Sequence, residues 1–335
     1  MDILLNITNL CNAKCQMCNI WKNKKSANSF LKPDLVRSIT GAKTITFAGG
    51  EPFMHEGIVD IAREAHAASP KARLIFSTNG FQTALIAKKA KEIQEFCPNM
   101  HVTISLDGLG KKHDEVRGTH GALEKVNKTH KALNDIGVKK VNFGFTLLEE
   151  NTDQLEPVYR FAKSKKSELS FVVAQTKSYL SVGLKEMSID HAYGPLNSIV
   201  EDRLKSWNIK EWVRAFHVYG WIAFLRSGER PLPCRAVKSF VMVNETGDVC
   251  SCNQLAIPIG SLKRNSFNDI LASDQSREVR EAIKDCRDCW GVQETRSAVR
   301  ASPVRVVLWI VSNKALYHLN MRNGRGKSIL FPHRA

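Results

Sequence analysis

Short apolar segments alternate with amphipathic segments through the first 175 residues. The apolar segments are rich in β-branched and aromatic side chains, as is typical of buried strands. We predict strands at 2–8, 44–50, 73–79, 101–107, 141–148 and 169–175. Helical patterns lie between them, near 33–40, 56–68, 82–95, 120–136 and 153–165. This alternation predicts a parallel sheet, and six such units are too few for an eight-stranded barrel.

The pattern changes after residue 175. Residues 176–230 are predicted to be helical, and a buried helical face is indicated by Ile209, Trp212, Val213 and Phe216. Pro231 and Pro233 then break the chain. Apolar runs at 240–244 and 249–252 flank a glycine-containing turn, which predicts a hairpin. We therefore expect three parts, at residues 1–230, 231–293 and 294–335.

Composition and charge narrow the class of protein. The 335 residues are 43% hydrophobic and 24% charged, as in ordinary globular chains. No run of eighteen apolar residues and no signal-peptide pattern occurs, so a cytoplasmic location is expected. The net charge of +16 fits nucleic acid, an anionic membrane surface, or an acidic substrate or partner. No zinc-finger, helix-turn-helix or RNA-binding aromatic motif is present.

Three of the nine cysteines, Cys11, Cys15 and Cys18, stand within eight residues after the first predicted strand. Thiolates bind zinc or iron–sulfur clusters. A structural zinc site usually takes four ligands, often in C-x2-C pairs. Three neighbouring cysteines without a local fourth ligand instead fit a 4Fe–4S cluster with one iron left open.

Three further motifs lie at the ends of successive predicted strands, at 49–52 (Gly-Gly-Glu-Pro), 77–80 (Ser-Thr-Asn-Gly) and 105–108 (Ser-Leu-Asp-Gly). A fourth, at 113–118 (His-Asp-Glu-Val-Arg-Gly), comes shortly after the third. Together with the cysteine loop, this series resembles the motifs of the radical S-adenosylmethionine (SAM) superfamily. Met17 departs from the aromatic residue that often precedes the third cysteine there. Methionine is also flexible and apolar, so the change is expected to matter little.

The resemblance implies an α/β fold with an open, TIM-like partial (β/α)6 barrel whose motifs meet at the carboxyl ends of the strands. It implies that Cys11, Cys15 and Cys18 hold a 4Fe–4S cluster whose open iron binds SAM. The SAM contacts it implies are Gly49, Gly50, Glu51, Ser105 and Arg117. Asn79 and Asp107 are expected to face the ribose or the substrate, although Asp107 could instead cap a turn. A reductant protein such as flavodoxin or ferredoxin is an expected partner.

A second cysteine set consists of Cys234, Cys252, Cys286 and Cys289. Their spacing fits zinc and a second 4Fe–4S cluster equally well. The set resembles a Twitch domain, the shortened relative of the SPASM domain, in a small α+β unit, and this resemblance implies an auxiliary 4Fe–4S cluster. Cys250 is the alternative to Cys252 as the cluster ligand. Cys252 is preferred because its sequence spacing from Gly247 fits the G-x4-C pattern of the domain.

The tail after Trp290 has a different character. Ser302 and Pro303 predict a helix start, and residues 304–311 are nearly all apolar. Basic residues follow. An apolar helix beside a basic segment fits peripheral contact with an anionic membrane, and packing of the helix on the barrel is the alternative.

The function expected from the resemblance is reductive cleavage of SAM to a 5′-deoxyadenosyl radical, abstraction of a substrate hydrogen, and an oxidation or maturation that uses the auxiliary cluster. The substrate is left open, including an anionic one, and no residue is assigned a catalytic role. Peptide maturation and lipid or sugar modification remain alternatives, and the chain's start at the first strand disfavours a leader-peptide-binding domain. A non-catalytic zinc or iron–sulfur protein that binds nucleic acid or an anionic membrane is the alternative from another class.

Overall fold

The computed structural model describes residues 1–22, 29–174 and 186–322. Within these residues, one sheet has the strand order β6-β5-β4-β3-β2-β1-β7-β8-β9. Its strands are β1 Asp2–Thr8, β2 Thr44–Gly49, β3 Arg73–Thr78, β4 His101–Ser105, β5 Lys140–Leu147, β6 Leu169–Val173, β7 Phe240–Val243, β8 Asp248–Cys250 and β9 Pro258–Ser261. The six strands predicted for the first part are confirmed within two residues at each end, except that the last residue of the sixth prediction lies outside the described residues.

The helices surround this sheet. They are α1 Ile58–Ala68, α2 Thr83–Gln94, α3 Lys111–Arg117, α4 Ala122–Asp135, α5 Leu155–Ser164, α6 Ile189–Lys205, α7 Ile209–Ser227, α8 Phe267–Ala272, α9 Asp274–Ala282, α10 Val292–Ala301 and α11 Pro303–Arg322. Short 3-10 turns occupy Ile20–Lys22, Pro33–Ser38, Pro52–Met54 and Glu149–Gln154. The helix predicted near 33–40 is therefore a 3-10 turn, and α3 was not predicted. Of the helices that the structure describes, none combines the length and apolar character that crossing a bilayer requires.

Strands β1 to β6 are parallel and form an open partial barrel, as predicted. β1 lies inside the sheet, parallel to β2 on one side and to β7 on the other. All seven residues of β1 are buried, because both faces of this strand are covered. The carboxyl end of β1 leads directly into the cysteine loop, so a fully buried strand positions the first cysteine set.

The predicted hairpin is confirmed: β7 and β8 pair antiparallel, and β9 adds a further antiparallel strand that was not predicted. The hairpin does not form a separate sheet, because β7 continues the barrel sheet beside β1. An ion pair between Arg300 and Asp2 also joins α10 to the first strand. The predicted division of the chain into three parts, at residues 230 and 293, stays a prediction. Strands from both sides of the first boundary belong to one sheet.

Polar side chains face the interior of the partial barrel. In β5, Val141, Phe143, Phe145 and Leu147 are buried while the residues between them are more accessible. The alternate positions Lys140, Asn142 and Thr146 line an internal cavity. The alternation places apolar residues under the helices and polar residues in the lumen. The lumen is therefore a cavity and not a packed core, and polar strand residues and apolar side chains both line it.

Helix α7 covers this lumen, and α11 packs on α7. Three members of the predicted face of α7 are buried or half-buried, and Phe216 is fully packed. The prediction was wrong for Ile209, whose side chain is 66% exposed. Ile209 begins α7 at the corner that follows α6, so it reaches solvent although its helical spacing matches the buried face.

Candidate cofactor and cluster sites

The first cysteine loop lies against the end of α3. The Lys14 N–H donates to the carbonyl of Arg117 at 3.2 Å, and the Gln16 N–H donates to the carbonyl of Val116 at 3.0 Å. Gly118 has φ +57°, and a Cβ there would lie 2.5 Å from the Lys14 carbonyl oxygen. Glycine at 118 thus allows both the left-handed turn and the close approach of the loop.

The thiols of this loop have a donor chemistry that fits an iron–sulfur cluster. Burial raises the pKa of Cys11 to about 12, and burial also raises the pKa of Cys18. Such thiols bind metal as thiolates, so a bound cluster must displace their protons. Arg117 Nη1 lies 3.6 Å from Cys15 Sγ and adds positive charge beside the loop. Three cysteines in one short, partly buried loop supply the thiolates that iron prefers.

The glycine pair at the end of β2 lets two backbone segments touch. A Cβ at Gly49 would lie 2.2 Å from the Thr8 carbonyl oxygen, and one at Gly50 would lie 2.2 Å from that of Leu10. The Gly50 N–H donates to Thr8 and the Glu51 N–H donates to Leu10, both at 2.7 Å. Residues 49–51 therefore hold the start of the cysteine loop by main-chain hydrogen bonds.

The Glu51 carboxylate joins the ends of β2 and β3. It is buried and accepts hydrogen bonds from the Asn79 N–H at 2.7 Å, the Thr78 hydroxyl at 2.9 Å and the Phe53 N–H at 3.2 Å. Burial raises the pKa of Glu51 to about 7, and these hydrogen bonds oppose the rise. Asn79 continues the connection, because its Nδ2 donates to Asn12 Oδ1 at 2.7 Å. Asn79 thus holds the cysteine loop directly, and Glu51 holds the backbone of Asn79.

Asp107 and Arg117 form a buried ion pair. Asp107 also accepts from the Thr146 N–H at 2.7 Å, and its own N–H donates to His113 Nδ1 at 3.0 Å. The Asp107 carboxylate is thus occupied by protein donors, while Arg117 reaches both Asp107 and Cys15. Ser105, at the end of β4, is half-buried and lines the same cavity as Arg117. Their predicted contacts with SAM stay predictions.

The lumen is an open cavity of about 730 Å³ and is strongly basic. At the amino-terminal ends of β3, β4 and β5 it is lined by Arg73, His101 and Lys140, with Arg296 of α10 beside them. Burial, followed by the three neighbouring cations, lowers the pKa of His101 to about 4. The only carboxylate among the lining residues given by the structure, Glu168, is paired with Arg214 at 2.7 Å. The floor of the lumen therefore favours an anion.

The sequence alone did not identify these lumen residues as part of a site. The alternation of polar and apolar residues in β5 was a usable signal, because it marks a strand with one polar face. The signal did not show that the polar faces of β3, β4 and β5 converge on one cavity. That convergence depends on the curvature of the sheet and on α7 and α10, which are distant in sequence.

The second cysteine set converges in part. A hydrogen bond with Cys286 lowers the pKa of Cys234 to about 7 and raises the pKa of Cys286. Cys289 is close enough to Cys234 to act on the same thiol. Cys252 is buried and accepts from the Leu255 N–H at 3.4 Å. Across the described residues, no three metal-binding side chains are already grouped around one point.

Cys250 has different surroundings from Cys252. It belongs to β8 and pairs with Met242 across the hairpin, and burial raises its pKa to about 12. Cys252 follows the end of the strand, in the turn that leads to Leu255. The preference for Cys252 over Cys250 as a ligand stays a prediction.

The indole of Trp290 attaches the second cysteine set to α7, the helix that covers the lumen. Trp290, next to Cys289, is fully buried and its Nε1 donates to the carbonyl of His217 at 2.9 Å. A Cβ at Gly220 would lie 2.1 Å from the indole ring. Gly220 thus leaves the space into which Trp290 fits, and this contact fixes the Cys286–Cys289 segment against α7.

Comparison with known protein families agrees with this geometry. A model of the radical SAM superfamily matches residues 5–162, and the SPASM iron–sulfur cluster-binding domain matches residues 234–290. Fe-coproporphyrin III synthase of Methanosarcina barkeri is 26% identical over 170 residues, 49% of this chain and 41% of that protein. GTP 3′,8-cyclase of Helicobacter pylori is 27% identical over 208 residues, 56% of this chain and 60% of that protein. The chain spans about half the length of the curated relatives it matches.

Solved structures with the same fold include anSMEcpe with bound AdoMet and a Kp18Cys peptide, with a TM-score of 0.64 and 15% identity over 92% of this chain and 98% of that chain. Streptococcus suis SuiB bound to precursor peptide SuiA has a TM-score of 0.63 and 15% identity over 88% of this chain and 70% of that chain. At these identities the similarity shows the fold alone. The family matches also confirm the expected cofactors: SAM, a 4Fe–4S cluster and a second, auxiliary cluster. The chain therefore contains a radical SAM domain over residues 5–162 and a carboxyl-terminal SPASM-type iron–sulfur domain over residues 234–290.

Proposed function

We propose that this radical SAM enzyme performs a two-electron oxidation or maturation of an anionic substrate bound in the lumen. The observation that carries the proposal is that one cavity covered by α7 is lined by two residues proposed to contact SAM, by basic residues, and by the tryptophan that follows Cys289. Arg117 and Ser105 line its upper end, and Trp290 lines its side. When bound, the cluster and SAM supply a 5′-deoxyadenosyl radical that removes a substrate hydrogen.

The chain's own residues hold and shield these groups. Cys11, Cys15 and Cys18 are proposed as the ligands of the SAM-binding cluster. The proposed SAM contacts are Gly49, Gly50, Glu51, Ser105, Arg117, Asn79 and Asp107. Among these, Asn79 and Asp107 act mainly as positioning residues, because their side chains already bind Asn12, Arg117 and Thr146. These two side chains fix the position of the cysteine loop and of Arg117 at the mouth of the lumen.

The proposed oxidation needs an electron acceptor. A two-electron oxidation removes from the substrate one hydrogen atom, one proton and one further electron. We propose that Cys234, Cys252, Cys286 and Cys289 would hold an auxiliary 4Fe–4S cluster, which would supply the acceptor for that further electron. A reductant protein such as flavodoxin or ferredoxin supplies the electron that starts each turnover. The docking of Trp290 on α7 supports this route, because it fixes the second set beside the lumen.

An anionic substrate is proposed from the floor of the lumen. Lys140, Arg73 and Arg296 have no ion-pair partner among the residues that the structure describes. Cations held together in a cavity attract an anion that neutralises them. One of the relatives is a GTP cyclase, and GTP is an anionic nucleotide, which agrees with this substrate class. The volume of the lumen is in the range of small-molecule sites.

The first experiment tests SAM cleavage and cluster content. Chain purified anaerobically should contain about eight irons, as two 4Fe–4S clusters require. It should form 5′-deoxyadenosine when dithionite and SAM are added. Fully reconstituted protein that forms no deoxyadenosine would contradict the proposal, and about four irons would remove its electron acceptor.

A second experiment tests the anion site with pyrophosphate as the probe. In calorimetric titration, the double variant Arg73→Gln/Lys140→Gln should bind pyrophosphate about 100-fold more weakly, at roughly tenfold for each lost charged hydrogen bond. Lys88→Gln/Lys91→Gln is the matched control, because it removes two exposed lysines of α2. The same weakening in both variants, or no binding to the parent chain, would overturn the anion site.

A further inference from the structure

Helix α11 is apolar on two opposite faces. Its inner face packs on α7, where the Trp309 ring centre lies 5.4 Å from that of Phe216 and 4.8 Å from that of Tyr219. Val306 and Ile310 are buried on the same face. A helix that packs on a protein by one face normally presents polar residues on the other. α11 does not.

The outer face of α11 presents a row of aliphatic side chains to solvent. Val304, Val307, Leu308 and Val311 follow the i, i+3, i+4, i+7 spacing of one helical face. Each side chain is between 54% and 70% exposed. Single exposed aliphatic residues are ordinary on protein surfaces, whereas a continuous row marks a surface that binds something.

The row continues onto the corner between α6 and α7. Lys314 of α11 donates to the carbonyl of Ser206 at 2.8 Å, and its ammonium lies 4.8 Å from the centre of the Trp207 ring. Trp207 is 79% exposed, and Ile209 beside it is also exposed. We call this surface the outer apolar strip. It consists of Trp207, Ile209, Val304, Val307, Leu308 and Val311.

The charged residues near the outer apolar strip indicate which kind of partner the strip binds. Helix α11 contains Arg305, Lys314 and Arg322 and no aspartate or glutamate. By helical geometry Arg305 and Lys314 lie at the two edges of the strip on α11. A second copy of the chain would bring these cations against each other, which is unfavourable. A surface with an apolar interior and anionic head groups complements both the strip and its edges.

We propose that the outer apolar strip inserts into the interfacial layer of an anionic phospholipid bilayer, with α11 lying parallel to the membrane plane. The aliphatic side chains enter the acyl boundary, and Arg305 and Lys314 contact the anionic head groups. Trp207 lies at the end of the strip, and tryptophan is enriched at this depth of a bilayer. The inference is independent of the reaction proposed above.

Flotation of the anaerobically purified full chain with vesicles tests the inference. Vesicles of phosphatidylcholine with about 30% phosphatidylglycerol are compared with phosphatidylcholine alone, because anionic lipid adds roughly fivefold in binding for each basic residue near the surface. Val311→Asp places a carboxylate inside the strip. Its matched control is Ser312→Asp, which adds the same charge at the neighbouring exposed position, outside the strip. Both positions are exposed, so both variants should keep the parent melting temperature.

The parent chain should float with the anionic vesicles. Val311→Asp should weaken the partition coefficient at least about 30-fold, through lost apolar burial and an added anionic charge, and Ser312→Asp about fivefold or less. Failure of the parent chain to float, or equal weakening by the two variants, overturns the inference. A parent dimer in light scattering that Val311→Asp dissociates, without an effect on flotation, would assign the strip to a second copy of the chain and overturn it as well.

Discussion

The two cysteine sets are positioned by different parts of the structure. The first set stands within eight residues, and main-chain hydrogen bonds from residues 49–51 and α3 hold its loop. The second set is drawn from segments about fifty residues apart and is fixed by a buried indole on α7. The first site is thus built locally on strand ends, whereas the second depends on tertiary packing.

This difference shows which substitutions should affect which site. A change at the strand ends should disturb SAM cleavage and leave the second set intact. A change in the packing of Trp290 should do the reverse.

Removal of the second set should have the largest effect on iron and a small one on SAM cleavage. The variant with Cys234, Cys252, Cys286 and Cys289 all changed to Ala should lose about four irons of about eight, because one 4Fe–4S cluster loses its ligands. Deoxyadenosine formation with dithionite should persist. Iron analysis and chromatography of the deoxyadenosine measure both quantities.

Cys250→Ala is the control for this variant and should keep about eight irons. Loss of four irons in Cys250→Ala, with full iron in Cys252→Ala, would exchange the assignment of these two cysteines. The hairpin would then present its second ligand from within β8.

Gly220→Ala should destabilise the docking of the second set. The new Cβ would lie 2.1 Å from the Trp290 ring, which has no room to move because it is fully buried. We expect a loss of about 3 kcal/mol in the free energy of unfolding, together with iron lost from the second set. Thermal unfolding and iron analysis measure the two effects.

Gly194→Ala is matched to Gly220→Ala, because it also replaces a glycine inside a helix but meets no atom within 4 Å. It should stabilise the chain by up to about 1 kcal/mol. Equal behaviour of the two variants would mean that Trp290 does not occupy the space beside Gly220.

Gly118→Ala should disturb the first set alone. The left-handed backbone at 118 and the approach of Lys14 both exclude a Cβ, so the loop must shift. We expect about 2 kcal/mol of destabilisation and at least tenfold slower deoxyadenosine formation. Gly121→Ala carries similar backbone strain without any contact within 4 Å, so it should slow the reaction far less. Equally slow reactions would assign the effect to strain instead of to the loop.

The smallest effect concerns the side-chain hydrogen bond between Asn79 and Asn12. Asn12→Ala should cost about 1 kcal/mol, because it removes this bond. Asn79→Ala should cost about 1 kcal/mol more, because Asn79 Oδ1 also accepts from the Phe81 N–H at 2.9 Å. If Asn79 acts only by positioning the loop, its variant should raise the KM for SAM at most about fivefold more than Asn12→Ala does, as the second bond allows. A clearly larger difference in KM would show that Asn79 also contacts the cofactor.

The sequence predicted well the features that depend on neighbouring residues. The strands of the first part follow from runs of β-branched and aromatic residues, and the order of their motifs indicated the family. The pairing of β7 with β1 could not be predicted, because it joins residues about 240 positions apart. The exposure of Ile209 was missed because helical spacing defines a face without showing where neighbouring elements end.

The candidate site was predicted in its residue types more than in their contacts. Glu51, Asn79 and Arg117 were selected as cofactor contacts from their motifs. In the structure each also binds another part of the protein, through Thr78, Asn12 and Asp107 respectively. A motif marks a residue as important but does not distinguish a ligand contact from a brace, because both place a polar side chain at a strand end.

The most direct test of the account changes Cys11, Cys15 and Cys18 together to Ala in the full chain. Iron and deoxyadenosine are then measured after anaerobic reconstitution. Iron should fall from about eight atoms per chain to about four, and deoxyadenosine formation should be lost completely. Unchanged iron, or deoxyadenosine formed at the parent rate, would contradict the assignment of SAM cleavage to the loop after β1.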